Sequence, residues 1–395
     1  MQSDSDSRAY LLEVKMEPIR VLQEDVVLDR GGIEALLMNV YRNIDKSLVQ
    51  FDFLVHRPHR ADHEDEVESL GGKIYHTPGY SPVPPAYNKY KNGMIKVFRE
   101  HPEYKVLHAH TELNGWPLKF AAKCGIPTRI AHAHNSQSNI NLKYFFFRYE
   151  KLWLKKYATD MFMCSTPSGE WFYGKETVAS GKVKFIKNGI DSALYRFNSD
   201  ERAAVRRELN LGDSTVFCHV GRFMQQKNHP FLIEIFREIQ RKNPNTVLVM
   251  AGDGPGREDC EKKAKEYGIF ENTRFLGVRN DVNRVLQGAD LFLFPSLWEG
   301  LPLTAIEAQA AGLPVVMTDV ITPEPVITDS VLTCSLKDSA EKWAETALNL
   351  AANHKRYDTQ NEVIAAGFDI KETARFLQDF YLERHLKALH FEKNN

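Results

Sequence analysis

Residues Leu291 to Asp319, which read LFLFPSLWEGLPLTAIEAQAAGLPVVMTD, decide the fold of this chain. They begin with the apolar run Leu291 to Phe294, and such a short run bounded by turn residues is typical of a buried strand in a parallel sheet. A loop follows, and Pro302 stands where the first turn of a helix tolerates a missing N–H. We expect this helix to run through Ala311 and to stop at Gly312.

The apolar run Val315 to Met317 completes a strand–loop–helix–strand unit. In α/β sheets, the loops at the carboxyl edge of the strands bind the ligand. Two carboxylates mark this edge, Glu299 in the loop and Glu307 in the helix, with the spacing E-x7-E. Eight positions are just over two helical turns, so we expect Glu307 to point toward the cleft that the loop of Glu299 lines.

The groups at this edge suit one class of ligand. Ionised carboxylates accept hydrogen bonds in pairs, which fits the vicinal hydroxyls of a ribose or a hexose. The backbone N–H groups of Gly300 and Leu301, beside a helix N-terminus, favour a phosphate. Sugar hydroxyls beside a diphosphate describe a sugar-nucleotide site. The spacing alone is equally typical of an acidic, solvated helix whose carboxylates complement its dipole.

Motifs along nearly the whole chain resemble those of one enzyme family. The stretch PSLWEGLPLTAIEAQAAGLPVV is similar to the donor-site signature of the retaining GT-B glycosyltransferases of family 4. RGGIEALLMN, HAHNS, NGID, VGRFMQQKNH and AGDGPG follow that family's order and spacing. Within the family, the chain most resembles enzymes that build bacterial exopolysaccharide, capsule or O-antigen repeat units. The resemblance implies an α/β GT-B fold, with two doubly wound Rossmann-like domains facing across a cleft.

The resemblance also implies where the domains divide. Residues 16–188 form an N-terminal acceptor-binding domain, to which a returning helix at 373–395 belongs. Residues 189–372 form a C-terminal domain that binds the nucleotide sugar. Residues 1–15 are expected to be a disordered or non-native leader, because MEPIRVLQ, starting at Met16, reads as a natural opening.

Composition excludes several classes of function. A content of 43% hydrophobic and 26% charged residues is typical of a soluble globular protein. The formal net charge of -1 gives no global attraction for nucleic acid. Five scattered cysteines without CxxC spacing indicate reduced thiols in the cytoplasm. No apolar run reaches transmembrane length. We therefore expect a cytoplasmic protein without a nucleic-acid partner.

Basic residues in the second half add to the candidate donor site. Arg222 and Lys227 follow a predicted strand, and a planar guanidinium with a point-charge ammonium suits a diphosphate. Basic surface residues are common, so the assignment depends on the two glutamates nearby. By the resemblance, Gly277 and Val278, at the end of another strand, lie near the nucleotide base. AGDGPG partly matches the dinucleotide fingerprint, but Arg257 replaces its third glycine, so we reject a nicotinamide cofactor.

The first half carries the remaining candidates. Gly31 and Gly32 precede a predicted helix, where glycines let the backbone approach a ligand or simply make a turn. By the resemblance, this loop contacts the donor diphosphate and the acceptor. The tripeptide HAH occurs at two predicted strand ends without a Cys or carboxylate set that would complete a zinc site, so we predict no metal. The resemblance implies that His134 contacts the transferred sugar, with His110 and Asn135 near the acceptor.

Residues 143–157, KYFFFRYEKLWLKKY, mix aromatic and basic side chains. A helix of this composition can lie on an anionic membrane surface. The alternative is a helix that packs its aromatic residues into the core of its own domain. We therefore expect a cytoplasmic location, with peripheral membrane contact as one of two interpretations.

The resemblance implies transfer of a hexose from a nucleotide sugar, with UDP the expected nucleotide, to a hydroxyl of a lipid-linked or other saccharide. The anomeric configuration would be retained and no cofactor would be needed. The catalytic candidates are His134, Arg222, Lys227 and Glu299. The alternatives are a sugar-nucleotide epimerase, which an assay without acceptor distinguishes, a synthase with a soluble acceptor, and a non-catalytic nucleotide-sugar sensor. The complete set of candidate side chains argues against the sensor.

Overall fold

The computed structural model describes residues 17–25, 27–29, 31–110, 115–134 and 153–393. The predicted leader, Asn135 and positions 143–152 of the basic aromatic segment lie outside these residues. By its internal contacts the chain divides into two units. The first unit is Met1–Gly189 with Ile370–Asn395, and the second is Ile190–Asp369.

The first unit is built on a parallel sheet in the order β3-β2-β1-β4-β5-β6-β7. The chain reverses its direction across the sheet between β1 and β4, which is where such sheets bind ligands. The strands are β1 Ile19–Asp25, β2 Val49–Val55, β3 Ile74–His76, β4 Val106–Ala109, β5 Thr128–Ala133, β6 Asp160–Met163 and β7 Val183–Phe185.

Helices cover both faces of this sheet. Tyr381, on the C-terminal helix Ile370–Lys393, stacks edge-on against Phe51 with ring centroids 5.8 Å apart. Phe380 contacts Phe162 in the same way at 5.1 Å. The other described helices are α1 Gly32–Asn43, α2 Glu64–Ser69, α3 Ala86–Glu100, α4 Trp116–Lys123, α5 Thr166–Tyr173 and α6 Lys175–Ala179.

Two predictions for the first unit were wrong in their bounds. The stretch 19–22 of the sequence predicts the first strand, but β1 continues through Asp25. Polar residues concealed this end of the strand, because Gln23 and Glu24 are fully buried and find partners inside the protein. The proline-rich stretch from residue 78 to residue 87 predicts an irregular loop, but α3 starts at residue 86, directly after the prolines.

The second unit repeats the architecture with a parallel sheet in the order β10-β9-β8-β11-β12-β13. Here the direction reverses between β8 and β11. The strands are β8 Thr215–Val220, β9 Thr246–Ala251, β10 Thr273–Gly277, β11 Leu291–Phe294, β12 Val315–Thr318 and β13 Val331–Cys334. The described helices are α7 Ser192–Tyr195, α8 Ser199–Glu208, α9 His229–Lys242, α10 Arg257–Glu266, α11 Val282–Gly288, α12 Leu303–Ala310, α13 Ala340–Asn353 and α14 Gln360–Ala365. The α/β class with two doubly wound sheets, predicted from the motifs, is confirmed.

The helix that carries Glu307 is shorter than predicted at both ends. Pro302 lies outside its first turn, since its ψ of 85° is not helical, and α12 starts at Leu303. Ala311 follows the last helical residue and Gly312 takes a left-handed φ of 70°. A Cβ at Gly312 would lie 2.4 Å from the carbonyl oxygen of Tyr357, so close packing also requires glycine there.

Buried hydrogen bonds hold α12 at a fixed position. The Arg356 guanidinium donates to the carbonyl of Ala311 at the end of α12, at 3.1 Å, and to that of Gln287 in α11, at 2.6 Å. A cation beside carbonyls at two helix C-termini also complements both helix dipoles. The side chain of Gln309 donates to the carbonyl of Pro325 at 2.7 Å and accepts from the N–H of Ile327 at 2.8 Å. Helix α12 is thereby held at its C-terminal half.

Candidate active site

An ion pair lies at the carboxyl edge of the second sheet. Lys227 ends a short 3-10 turn, Gln225–Lys227, after β8, and its Nζ lies 2.7 Å from Oε1 of Glu299, in the loop after β11. The pair is largely removed from water, with side-chain exposures of 16% and 7%. Gln226 donates from Nε2 to Oε2 of the same glutamate at 3.2 Å. Both carboxylate oxygens therefore have a partner.

Backbone contacts hold the two loops together. The N–H of Leu297 donates to the carbonyl of Gln226 at 2.8 Å, and Nδ2 of Asn228 donates to the carbonyl of Pro295 at 3.2 Å. Asn228 has a left-handed φ of 54°, a conformation that asparagine tolerates better than most residues. The Lys227 ammonium also lies 4.8 Å from the centre of the Phe294 ring. The 3-10 turn thus positions both the lysine and the loop of its carboxylate.

Glu307 belongs to the same group of side chains. Burial raises the pKa of its carboxyl to about 7, while a hydrogen bond from the Tyr195 hydroxyl and the charge of Lys227 act in the opposite direction. Glu307 lies on α12, the helix that follows the loop of Glu299, and its carboxyl is within range of the Lys227 charge. The structure therefore brings together Lys227, Glu299 and Glu307, two of them predicted from the E-x7-E spacing.

The other predicted donor residues lie on loops at this edge. Arg222 follows β8 and its side chain is exposed. Gly277 ends β10 with a φ of 69° and is followed by Val278, which is 59% exposed. Gly300 and Leu301 are half-buried just before α12. Among the described residues, neither of their backbone N–H groups donates to a protein acceptor.

Close packing accounts for the glycine run AGDGPG. Gly252 has a φ of 139°, and a Cβ there would lie 2.1 Å from the carbonyl oxygen of Gly221. A Cβ at Gly254 would lie 2.8 Å from the carbonyl oxygen of Phe223. These glycines let the loop after β9 pack against the loop that carries Arg222. Close packing between the two loops therefore explains the glycines of the partial dinucleotide fingerprint.

Four buried histidines occupy the carboxyl ends of β4 and β5 in the first unit. His110 Nδ1 lies 2.9 Å from His134 Nε2, and His110 Nε2 lies 3.0 Å from Oε1 of Gln23. His108 and His132 lie beside them, each with its ring centre 4.1 Å from that of the histidine two positions on. Burial lowers the pKa of His134 to about 3 and depresses the pKa of the other three as well. All four are neutral at physiological pH.

The histidine cluster is compact enough to raise the question of a metal ion. Ligand nitrogens of His108, His110 and His132 lie within 4.8 Å of one another. However, both ring nitrogens of His110 already form hydrogen bonds, and the rings of His108 and His132 are stacked within 9° of parallel. Zinc needs in-plane lone pairs that converge at about 2.0–2.1 Å, and parallel stacked rings do not offer them. The absence of a metal site stays a prediction.

The glycine loop of the first unit adjoins α1. Gly31 precedes the helix with an extended backbone, and a Cβ there would clash with the Glu34 carboxylate. A Cβ at Gly32 would meet no atom of the described residues within 4 Å. Gly32 therefore leaves room for a ligand near the backbone. The predicted acceptor residue Asn135 lies outside the described residues.

The described end of the basic aromatic segment, residues 153–157, is helical. Leu154 is buried in the core of the first unit, as the packing interpretation predicts. The ammonium of Lys119 lies between two half-buried indoles, 4.2 Å from the ring centre of Trp116 and 3.8 Å from that of Trp153. Partial burial and the nearby charges of three other lysines lower the pKa of Lys119; these are Lys123, Lys156 and Lys91. Across the described part of the chain, no helix combines the length and apolarity of a membrane span.

Several residues that complete these groups were not predicted from the sequence. Gln226 adjoins Lys227 within a quoted motif, so its position could have suggested a role. Tyr195 is over a hundred positions before Glu307 and carries no motif of its own. Gln23 lies beyond the point at which the sequence predicts the end of the first strand. Tyr381 lies in the C-terminal helix, and no motif in the sequence marks it.

Two family models and several named proteins are similar to this chain. The family model "Glycosyltransferase Family 4" matches residues 30–194, and "Glycosyl transferases group 1" matches residues 201–367. "Putative glycosyltransferase EpsF" of Bacillus subtilis (strain 168) is 32% identical over 375 residues, which cover 92% of this chain and 96% of that protein. The Escherichia coli "UDP-Gal:alpha-D-GlcNAc-diphosphoundecaprenol alpha-1,3-galactosyltransferase" is 29% identical over 231 residues, 55% of this chain and 58% of that one.

A solved structure is similar in fold. The crystal structure of Anabaena Alr3699/HepE in complex with UDP and glucose has a TM-score of 0.73 and 18% sequence identity. The match covers 92% of this chain and 99% of the Anabaena chain.

Proposed function

Because the chain belongs to the family 4 glycosyltransferases, we propose that it transfers a hexose from a UDP-sugar to a hydroxyl of a lipid-linked saccharide, with retention of configuration and without a metal ion. The acceptor belongs to the assembly of a bacterial surface polysaccharide. The observation that carries the proposal is the group of Lys227, Glu299 and Glu307 at one sheet edge. Two carboxylates for sugar hydroxyls and a cation for phosphate are what a sugar nucleotide needs.

Each side chain has a role in this proposal. Glu307 accepts hydrogen bonds from the ribose hydroxyls, and Glu299 and His134 orient the hexose. Lys227 and Arg222 stabilise the negative charge that develops on the diphosphate as the glycosidic bond breaks. The N–H groups of Gly300 and Leu301, beside the N-terminus of α12, bind a phosphate oxygen. Gly277 and Val278 lie beside the base, and the acceptor contacts His110 and Asn135.

Retention follows from attack on the same face as the leaving group. A double displacement would need a carboxylate nucleophile on the opposite face of the sugar. In this proposal Glu299 and Glu307 both bind sugar hydroxyls, so neither serves as that nucleophile. The departing diphosphate instead accepts the proton of the acceptor hydroxyl. Cationic side chains do the electrostatic work that a divalent metal does in other transferases, so activity persists in EDTA.

Two named relatives support the UDP and lipid parts of the proposal. The Escherichia coli relative is named for UDP-Gal and for a diphosphoundecaprenol acceptor, and the Anabaena structure contains UDP and glucose.

The positively charged group around Lys119 suits the anionic surface on which a lipid-linked acceptor resides. Lys119→Glu with Lys156→Glu should release the protein from anionic vesicles at low salt. A failure of the unchanged protein to bind such vesicles contradicts the membrane contact.

A direct assay tests the transfer itself. The protein is incubated with UDP-[14C]hexoses and a lipid-linked monosaccharide, with and without EDTA, and the lipid fraction is counted. We expect acceptor-dependent incorporation with an α linkage, unchanged by EDTA. Release of UDP or interconversion of sugars without acceptor would instead identify the epimerase alternative, and binding without turnover would identify the sensor.

A further inference from the structure

The carboxylate of Glu299 is held in one position beside the Lys227 ammonium. Its Oε1 lies 2.7 Å from Nζ of Lys227, and its Oε2 accepts from Nε2 of Gln226 at 3.2 Å. The same amide nitrogen donates to the carbonyl of Trp298 at 3.0 Å, and the carbonyl of Gln226 accepts from the N–H of Leu297 at 2.8 Å. The carboxylate therefore cannot turn away from the lysine without losing one of these bonds.

The ammonium is confined as well, so a phosphate that binds it comes close to the carboxylate. The centre of the Phe294 ring lies 4.8 Å from Nζ, and a Cβ at Gly221 would lie 3.2 Å from Cδ and Cε of Lys227. Charged N–H···O bonds are about 2.7–2.9 Å long, so a phosphate oxygen on Lys227 lies at most about 5.6 Å from Oε1 of Glu299. Two anions then share one cation.

The carboxylate repels a diphosphate at this distance, because about 5.6 Å is shorter than the screening length of about 8 Å at physiological salt. The pair is also largely removed from water, which strengthens the repulsion. Free UDP is repelled more than a UDP-hexose. Its outer phosphate is a monoester with about 1.5 to 2 negative charges at pH ~7, whereas the hexose ester of that phosphate carries a single charge.

A hexose gives the carboxylate an attraction that free UDP lacks. An ionised carboxylate has about four acceptor positions, and Lys227 and Gln226 occupy two of them. Hexose hydroxyls can donate to the others, and hydrogen bonds to an ionised acceptor are about twice as strong as neutral ones. The same side chain therefore attracts the sugar of the donor and repels the diphosphate of the product.

We propose that the Glu299 carboxylate, held between Lys227 and Gln226, makes the site prefer the intact sugar nucleotide to free UDP and so speeds release of the product. The inference rests on the proposed function and adds a selection against the nucleotide left after transfer. Without this negative charge, the cations that bind the diphosphate would favour UDP, the more negative ligand. UDP would then stay bound and exclude the next donor molecule.

Calorimetric titration compares UDP with whichever of UDP-glucose and UDP-galactose binds more tightly. In the unchanged protein we expect that UDP-hexose to bind more tightly than UDP. Glu299→Gln removes the charge and keeps the size of the side chain. In this variant UDP should bind more tightly than in the unchanged protein and the UDP-hexose more weakly, so that the ratio of the two affinities shifts at least about tenfold toward UDP.

Glu238 on α9 supplies the matched control. Both of its carboxylate oxygens are also paired, with Arg237 at 2.8 Å and Arg241 at 2.9 Å, and Glu238→Gln should leave both affinities unchanged.

Two results would overturn the proposal. One is a Glu299→Gln variant that binds UDP no more tightly than the unchanged protein does, as a purely structural role of the ion pair predicts. The other is tighter binding of UDP than of the UDP-hexose by the unchanged protein, which decides the matter even if the variant does not fold. The expected preference without transfer to any acceptor would overturn the proposed function alone.

Discussion

Replacement of Lys227 by alanine separates the catalytic role of the lysine from its structural role. The substitution removes the 2.7 Å ion pair and leaves Glu299, only 7% exposed, with the Gln226 amide as its remaining partner. Breaking a buried pair on one side costs about 3–5 kcal/mol. Because the lysine is 16% exposed and the amide bond remains, we expect the lower end, about 3 kcal/mol of unfolding free energy.

The same substitution should also lower the rate of sugar transfer at temperatures where the variant is still folded. Loss of a group that stabilises charge in the transition state typically lowers kcat by about 10²–10³. Thermal unfolding gives the first quantity, with a fall in Tm of about 6–12 °C expected for about 3 kcal/mol in a unit of this size. Initial rates of transfer from a UDP-sugar, measured well below that Tm, give the second.

Lys242 provides the control in the same unit. Its ammonium also contacts two carboxylates, those of Glu341 at 3.0 Å and Glu345 at 2.9 Å, but at an exposed position. Lys242→Ala should therefore cost at most about 1 kcal/mol and leave kcat unchanged. If Lys227→Ala turned over at nearly the rate of the unchanged protein, the charge-stabilising role would be refuted, whatever its Tm.

Three further changes probe other parts of the site. Burial raises the pKa of Glu307 to about 7, so its ionised fraction falls from about nine-tenths at pH ~8 to about one-tenth at pH ~6. UDP-glucose affinity should therefore fall about tenfold over that range. Glu307→Gln should make the affinity independent of pH. A pH-independent affinity in the unchanged protein would contradict ribose binding by the carboxylate. Arg356→Met removes charged hydrogen bonds at the ends of α11 and α12 and should cost at least about 3 kcal/mol by urea unfolding; a loss below about 1 kcal/mol would show that α12 is held otherwise. Gly312→Ala would place a Cβ 2.4 Å from the Tyr357 carbonyl oxygen at a left-handed φ. It should destabilise the protein more than Gly125→Ala, where the φ is 86° but the described surroundings leave space for a Cβ. Equal losses of stability would refute the clash.

The strands, helices and glycine turns near the site were largely predictable from the sequence. Buried parallel strands such as β11 and β12 read as apolar runs. The failures have physical causes. The end of β1 is polar because its side chains bind one another inside the protein. The edge strand β13 is half-exposed, so it lacks the apolar run that identifies a buried strand.

The candidate site was predictable only in its charged members. Glu299, Glu307 and Lys227 stand in motifs, and their charges indicate their chemistry. Tyr195 and Gln23 are ordinary polar residues whose partners lie far away in the sequence, so tertiary packing alone gives them a role. Local sequence patterns do not encode such long-range pairings.

The charged helix α8 was not predicted for a different reason. Val205 is the buried residue of this helix, and a single buried position gives no apolar periodicity in the sequence. Its N-terminus is capped by the side chain of Asn198.

Calorimetric titration with UDP-glucose tests the central claim most directly, since it needs neither an acceptor nor turnover. Saturable binding is expected for the unchanged protein and for Lys242→Ala. Glu307→Ala and Lys227→Ala should each bind at least about tenfold more weakly, which corresponds to about 1.4 kcal/mol. Equal affinity in all four proteins would contradict a sugar-diphosphate site built from Lys227, Glu299 and Glu307.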